Sequence, residues 1–253
     1  MLLAHVLSTE RAWLAAHGEA TLSVEQAKSF DALARQRRDG VPIAYLTGRR
    51  EFYGLDLEIT RDVLIPRPES EILVEFALAL LAKGRPAHVL DLGSGSGAVA
   101  LAIARARPAA SVTGVDVSGA AVALARRNAV RLGLANVQFL ESDWFERVPR
   151  IAFEVIVANP PYVADGDPHL TREDVRFEPS IALRGGVDGL VAIRRIVSGA
   201  AAYLAIGGWL AIEHGYDQAG RVQALMRGAG FDDVETRRDL AGILRTTCGR
   251  RSA

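Results

Sequence analysis

The sequence predicts an α/β protein built on a mostly parallel, seven-stranded sheet with an antiparallel edge, preceded by a small helical segment and a β-hairpin. Three observations predict it. From His88 onward, short apolar runs alternate with stretches of helical periodicity, a pattern that places right-handed crossovers between parallel strands. A glycine-rich loop, "DLGSGSGAVA", joins the first of those runs to its helix. The last two strand segments, "VETRRDL" and "ILRTTCG", have no helical stretch between them, so they pair as an antiparallel edge.

The elements follow in order. "LLAHVLSTERAWLAAH" carries apolar residues at helical spacing, and "SVEQAKSFDALARQRR" opens with a Ser-x-x-Gln capping box at Ser23 and Gln26. "REFYGLDLEIT" alternates around Gly54 as a hairpin does, and "VLIPRPESE" ends it with two prolines. Helical spacing resumes from Glu69 to Leu81. The strands of the sheet are then "HVLDLG", "SVTGVDV", "VQFLESD", "FEVIVANPP", "GWLAIEHG", "VETRRDL" and "ILRTTCG". Between them lie the helices "SGAVALAIARA", "SGAAVALARRNAVRLG" with Gly133 as its stop, "VDGLVAIRRIVSGAAAYL" and "QAGRVQALMRGAG". The expected division is a helical segment at 1–45, a hairpin linker at 46–68 and a main domain at 69–253.

Composition narrows the function. The chain has 253 residues, and its 30 basic and 30 acidic side chains cancel. No broad footprint for nucleic acid or a membrane is expected from that balance. Cys248 is the single cysteine, so no internal disulfide can form, as suits a reducing cytoplasm. The start lacks a basic leader with a long apolar stretch, so no signal peptide is read there. The apolar run from Ile196 to Ile212 is broken by Ser198, Gly199, Gly207 and Gly208; it reads as helix, turn and strand rather than a membrane span.

The glycine loop points to a ligand. Gly93, Gly95 and Gly97, with Ser94 and Ser96 between them, let the backbone turn tightly and approach a bound group at a helix N-terminus. Asp116, ending the second strand, is placed to accept both hydroxyls of a ribose. Ser118 is the better cap for the helix that follows. A nicotinamide cofactor and S-adenosylmethionine both carry such a ribose. "SDWF" after the third strand offers Asp143 to an adenine amino group and Trp144 as a flat apolar wall.

"IVANPPYVAD" raises a separate question: why a buried strand should stop on two adjacent prolines. The fourth strand ends beside the first, at the switch point where such sheets bind ligands. Asn159 offers an amide oxygen there, and Pro160 offers a carbonyl with no N–H beside it. Two convergent acceptors suit a planar –NH₂ group with two hydrogens to give. Pro161 stiffens the corner, and Tyr162 can cover the planar face of the group. An amide nitrogen is a poor nucleophile, and such a clamp would direct its lone pair at an electrophile through positioning and electrostatics.

The joint pattern resembles the class I, Rossmann-like methyltransferases that act on planar nitrogens. Within them the chain resembles the release-factor glutamine methyltransferase family. The matching segments are "PIAYLTGRREFYGLDLEIT", "VLIPRPESEILVE", "DLGSGSGAVALAIA", "NPPYV", "FEPSIALRGGVDGL" and "DLAGILR". The resemblance implies S-adenosylmethionine as methyl donor and the glutamine of a release factor's Gly-Gly-Gln loop as acceptor. It implies cofactor contacts from Gly93, Ser94, Gly95, Ser96, Gly97, Asp116, Asp143, Trp144 and Asn159. It also implies that Asn159, Pro160, Pro161 and Tyr162 hold the glutamine. The expected partner is the release factor, with no stable nucleic acid, no membrane, no metal, and a monomer in the cytoplasm. The family's N-terminal helical domain is usually longer than the one read here, so this one is either reduced or given a late start codon.

Three rivals share parts of the pattern. A methyltransferase for adenine or guanine amino groups in DNA or RNA would use the same proline corner on a flipped base. The neutral charge and lack of an added recognition domain speak against it. A nicotinamide-dependent oxidoreductase explains the glycine loop and leaves the corner idle. A non-catalytic binding module would need neither Asn159 nor Asp116.

Overall fold

A computed structural model describes residues 1–171 and 173–252. Its centre is a seven-stranded sheet of order β5-β4-β3-β6-β7-β9-β8. The strands are β3 (Ala87–Leu92), β4 (Ala110–Asp116), β5 (Val137–Glu141), β6 (Phe153–Ala158), β7 (Leu204–Glu213), β8 (Phe231–Arg238) and β9 (Leu244–Arg251). β5, β4, β3, β6 and β7 run parallel, and β9 joins β7 and β8 antiparallel. The expected strands and edge are therefore present.

The central strands are apolar on both faces because helices cover both. Helices α5 (Glu71–Leu80), α6 (Ala98–Ala106) and α7 (Gly119–Arg131) pack on one face, with Leu73, Phe76, Leu101, Ile103 and Leu124 buried. Helices α8 (Val191–Ala200) and α9 (Ala219–Gly228) cover the other through Ile193, Ile196, Val222 and Met226. A hairpin of β1 (Arg49–Phe52) and β2 (Leu55–Glu58) buries Phe52, Leu55 and Leu57 in the first of these clusters. Burying a side chain as fully as Leu57 contributes roughly 1.5–3 kcal/mol. The hairpin is thus part of the main core. Asn128 of α7 ties it down: its Oδ1 accepts from Glu58 N at 2.8 Å, and its Nδ2 donates to Glu58 O at 3.0 Å.

Two local expectations change. The first helical stretch is two short helices, α1 (Leu2–Val6) and α2 (Arg11–Ala16), because Ser8 between them takes a left-handed φ of 52°. That conformation is uncommon outside glycine and stops a helix. The stretch expected to be helical from Val187 begins as a turn. Gly189 has φ 73°, and Asp188 Oδ1 accepts from Leu190 N at 3.2 Å, so α8 starts only at Val191. The capping box is present as read: Ser23 and Gln26 bond reciprocally at the start of α3 (Val24–Arg38).

Candidate active site

β3 and β6 are neighbours, with Leu92 opposite Ala158, so the glycine loop and Asn159 leave the sheet side by side. The loop is pinned from below: Gly93 N and Ser94 N both donate to Val115 O, at 2.8 and 2.9 Å. Gly97 caps α6 at φ 85°, and a Cβ there would lie 2.9 Å from the Phe139 ring and 3.1 Å from Ala125. Only glycine fits that crowded left-handed position. Gly95 is different. Nothing lies within 4 Å of where its Cβ would be, so its backbone is open to a ligand.

Over this loop lies a cavity of about 390 Å³. Gly93, Ser94, Gly95, Ser96, Asp116, Asp143, Trp144, Asn159 and Pro161 line it. Of the other residues read as functional, Gly97 packs behind the loop and Pro160 is buried behind the corner. Tyr162 is half-buried against the second core cluster, and its hydroxyl donates to Glu213 Oε1 at 3.3 Å.

Asp116 holds the loop as well as the cavity wall. Its Oδ2 accepts from Gly95 N at 2.8 Å and its Oδ1 from Ser118 N at 2.9 Å. Burial pushes its carboxyl above the usual range, against those backbone bonds. Each oxygen keeps a second lone pair for a ribose hydroxyl. Ser118 is the cap of α7, accepting from Ala121 N at 3.2 Å. Asp143 pairs with Arg195 at 3.0 Å, both half-exposed, so a base amino group would share its carboxylate with that guanidinium. Trp144 has a φ of 49°, and its ring lies beside Gly93. Ser142 Oγ fixes that turn by donating to Trp144 O at 3.0 Å.

Several residues of the site escaped the sequence reading. Asp91, at the cavity floor, is 2 % exposed, and burial lifts its carboxyl to about 7; Asp116 nearby adds to the rise, and a bond from Ala100 N opposes it. Ser94 Oγ is buried with no partner among the described residues. Ser70 accepts from Asn159 Nδ2 at 2.9 Å and donates to Glu213 Oε2 at 2.6 Å. Arg67 reaches Glu178 at 2.6 Å and thereby joins "LIPRPE" to "FEPSIAL" at the rim. Arg37 of α3 meets Asp174 at 2.8 Å, linking the N-terminal segment to the stretch just before "FEPSIAL".

Comparison with known proteins places this arrangement. Residues 1–48 match the PrmC N-terminal domain, and residues 70–175 match the Methyltransferase small domain. A release factor glutamine methyltransferase from Xylella fastidiosa (strain 9a5c) is 50 % identical over 98 % of this chain and 90 % of its own length. The chain belongs to the release factor glutamine methyltransferase family. A second member, from Burkholderia pseudomallei, is 50 % identical over 99 % of this chain and 90 % of its own. A methyltransferase from Pyrococcus furiosus shares the fold, with a TM-score of 0.60 at 21 % identity, covering 87 % of this chain and 99 % of that one. Members of this methyltransferase family use S-adenosylmethionine. Among the described residues no helix is long and apolar enough to cross a membrane.

Proposed function

We propose that the chain transfers a methyl group from S-adenosylmethionine to the side-chain amide nitrogen of the glutamine in the Gly-Gly-Gln motif of peptide-chain release factors. One observation carries the assignment to the amide. Asn159 borders the cavity beside the glycine loop, its Nδ2 is given to Ser70, and no described residue donates to its Oδ1. The free oxygen is an acceptor where a substrate –NH₂ must be held, and the Pro160 carbonyl follows it in the chain.

The cavity fits the methyl donor chemically. Asp116 would take the ribose hydroxyls, Trp144 and Asp143 the base, and Ser94 and Gly95 the polar groups passing over the loop. Asp91 would face the ammonium, since a buried carboxylate is stabilised by a cation. When bound, S-adenosylmethionine supplies an electrophilic methyl on sulfonium: the S–C bond breaks, its electrons stay on sulfur, and a C–N bond forms. Asn159 and Pro160 keep the amide nitrogen's hydrogens engaged, so its lone pair stays directed at the methyl carbon. After the bond forms, the methylated amide would release one N–H proton to water. The site is in the cytoplasm in this reading, and the enzyme works as a monomer.

A pH dependence follows from Asp91. With its carboxyl lifted to about 7 in the free protein, the ammonium would lower that value on binding. Affinity for S-adenosylhomocysteine, which keeps the ammonium, is expected to be full above that pH. It should weaken as pH falls through it, because the carboxyl must then lose a proton to bind. Calorimetry across that range checks this, and Asp91→Asn should flatten the curve.

We assign residues 1–45 to recognition of the release factor, 46–68 to a hairpin linker that also completes the core, and 69–253 to catalysis. Deleting residues 1–40 is expected to leave S-adenosylhomocysteine binding intact and to remove most transfer to intact release factor. Full activity in the deletion would show that the segment is dispensable. The proposal as a whole is tested by methyl transfer from labelled S-adenosylmethionine, with release factor and duplex DNA offered in parallel. Label in the release factor is the expected result; label in the DNA would favour the amino-group methyltransferase of nucleic acids.

A further inference from the structure

Asn159 can clamp an amide only if its oxygen, and not its –NH₂, faces the substrate. The two orientations have the same shape, so hydrogen bonding alone decides between them. The deciding group lies at the end of β7. Glu213 is 1 % exposed, and its two oxygens accept from Ser70 Oγ at 2.6 Å and from the Tyr162 hydroxyl at 3.3 Å. Ser70 Oγ accepts from Asn159 Nδ2 at 2.9 Å.

The chain of bonds has one possible direction when Glu213 is ionised. A carboxylate only accepts, so Ser70 must give its single hydrogen to it. Ser70 can then only accept from Asn159. The asparagine is forced to turn its –NH₂ to Ser70 and its oxygen away. A protonated Glu213 can donate to Ser70 instead. That releases the serine hydrogen for Asn159 Oδ1, and the amide can turn over, setting –NH₂ against the substrate –NH₂.

We propose that Ser70 and Glu213 are positioning residues for methyl transfer, holding the Asn159 oxygen toward the substrate amide through a hydrogen-bond chain whose direction the ionised carboxylate sets. This rests on the reading of Asn159 as the amide's acceptor. Burial lifts the Glu213 carboxyl to about 7, while the Ser70 and Tyr162 bonds and Arg245 of β9 favour the anion and Glu69 opposes it. His214, the next residue, is turned away to Gly215 O and Thr247 Oγ1, and burial favours its neutral form. Arg67 acts on Tyr162 from the loop before α5.

The test is single-turnover methyl transfer to intact release factor, at saturating S-adenosylmethionine so that Asp91 does not enter. Glu213→Gln and Ser70→Ala should each slow transfer by about 10–100-fold, as losing a group that orients a functional side chain does. S-adenosylhomocysteine binding should change little. Ser70→Thr keeps the hydroxyl and should keep most of the rate. The wild-type rate should rise with pH through one ionisation near the Glu213 value, and the rise should vanish in Glu213→Gln. Persistence of the same rise in that variant would overturn the proposal. Ser70→Ala provides the check where Glu213→Gln does not fold. A slow Asn159→Ala beside a wild-type rate in Ser70→Ala would sink the relay and leave the reading of Asn159 standing. Asn159→Ala at the wild-type rate would overturn both.

Discussion

Asn159→Ala is expected to lower methyl transfer to intact release factor by on the order of 10²–10³, mainly in turnover, the loss typical of removing one preorganised polar contact to the reacting group. The substrate amide would lose an acceptor and keep an N–H unpaired in a closed site. Cofactor affinity should fall less, because the glycine loop and Asp116 are untouched. Asn159→Asp separates two effects. It keeps an acceptor of the same shape but cannot donate to Ser70, whose single hydrogen would then serve two carboxylates, the introduced one and that of Glu213. The structure therefore favours a poor rescue by this substitution. Single-turnover rates at saturating cofactor check both variants. An Ala variant within about threefold of wild type, well short of a lost preorganised contact, would mean that the proline corner only ends a strand.

Asp116→Ala should weaken S-adenosylhomocysteine binding by about 1.5–3 kcal/mol, the range for hydrogen bonds to a charged group. Two contributions combine. The ribose loses its acceptor, and Gly95 N and Ser118 N lose theirs. Both N–H groups belong to half-buried residues that line the cavity and are not part of either core cluster, so the melting temperature should move little. Calorimetry paired with thermal unfolding separates affinity from stability, and unchanged affinity would remove Asp116 from the cofactor site.

Much of this was legible before any coordinates. The strand–helix alternation located all seven strands of the sheet: the central ones stand out as apolar runs buried on both faces, whereas the largely exposed β8 was legible from its place after the last helix. The glycine loop, Asp116 and Asn159 were visible because strand ends at a switch point have a fixed meaning in such sheets. The relay was not visible. Ser70 and Glu213 stand 143 positions apart, and Asn159 is 89 from Ser70; only the tertiary fold brings them together. A signal did exist: Glu213 is a lone carboxylate closing the apolar run "GWLAI", and a charge ending a central strand faces the ligand side of the sheet. The broken first helix also left a trace. "STE" in its middle is a polar break in the apolar spacing, and Glu10 flanks the start of α2 at Arg11, without a side-chain cap bond.

The hairpin was harder to place. Its alternation around Gly54 was clear, yet nothing local says that Phe52, Leu55 and Leu57 join the main core. Burial of that kind depends on which surface a strand finds, and α7 supplies it through Asn128.

The most direct test of the central claim is mass spectrometry of the Gly-Gly-Gln peptide from a release factor incubated with this protein and S-adenosylmethionine. The expected result is a gain of one methylene unit, located by fragmentation on the glutamine side chain and absent with Asn159→Ala. An unmodified glutamine, or a methyl group on another residue of the release factor, would contradict it.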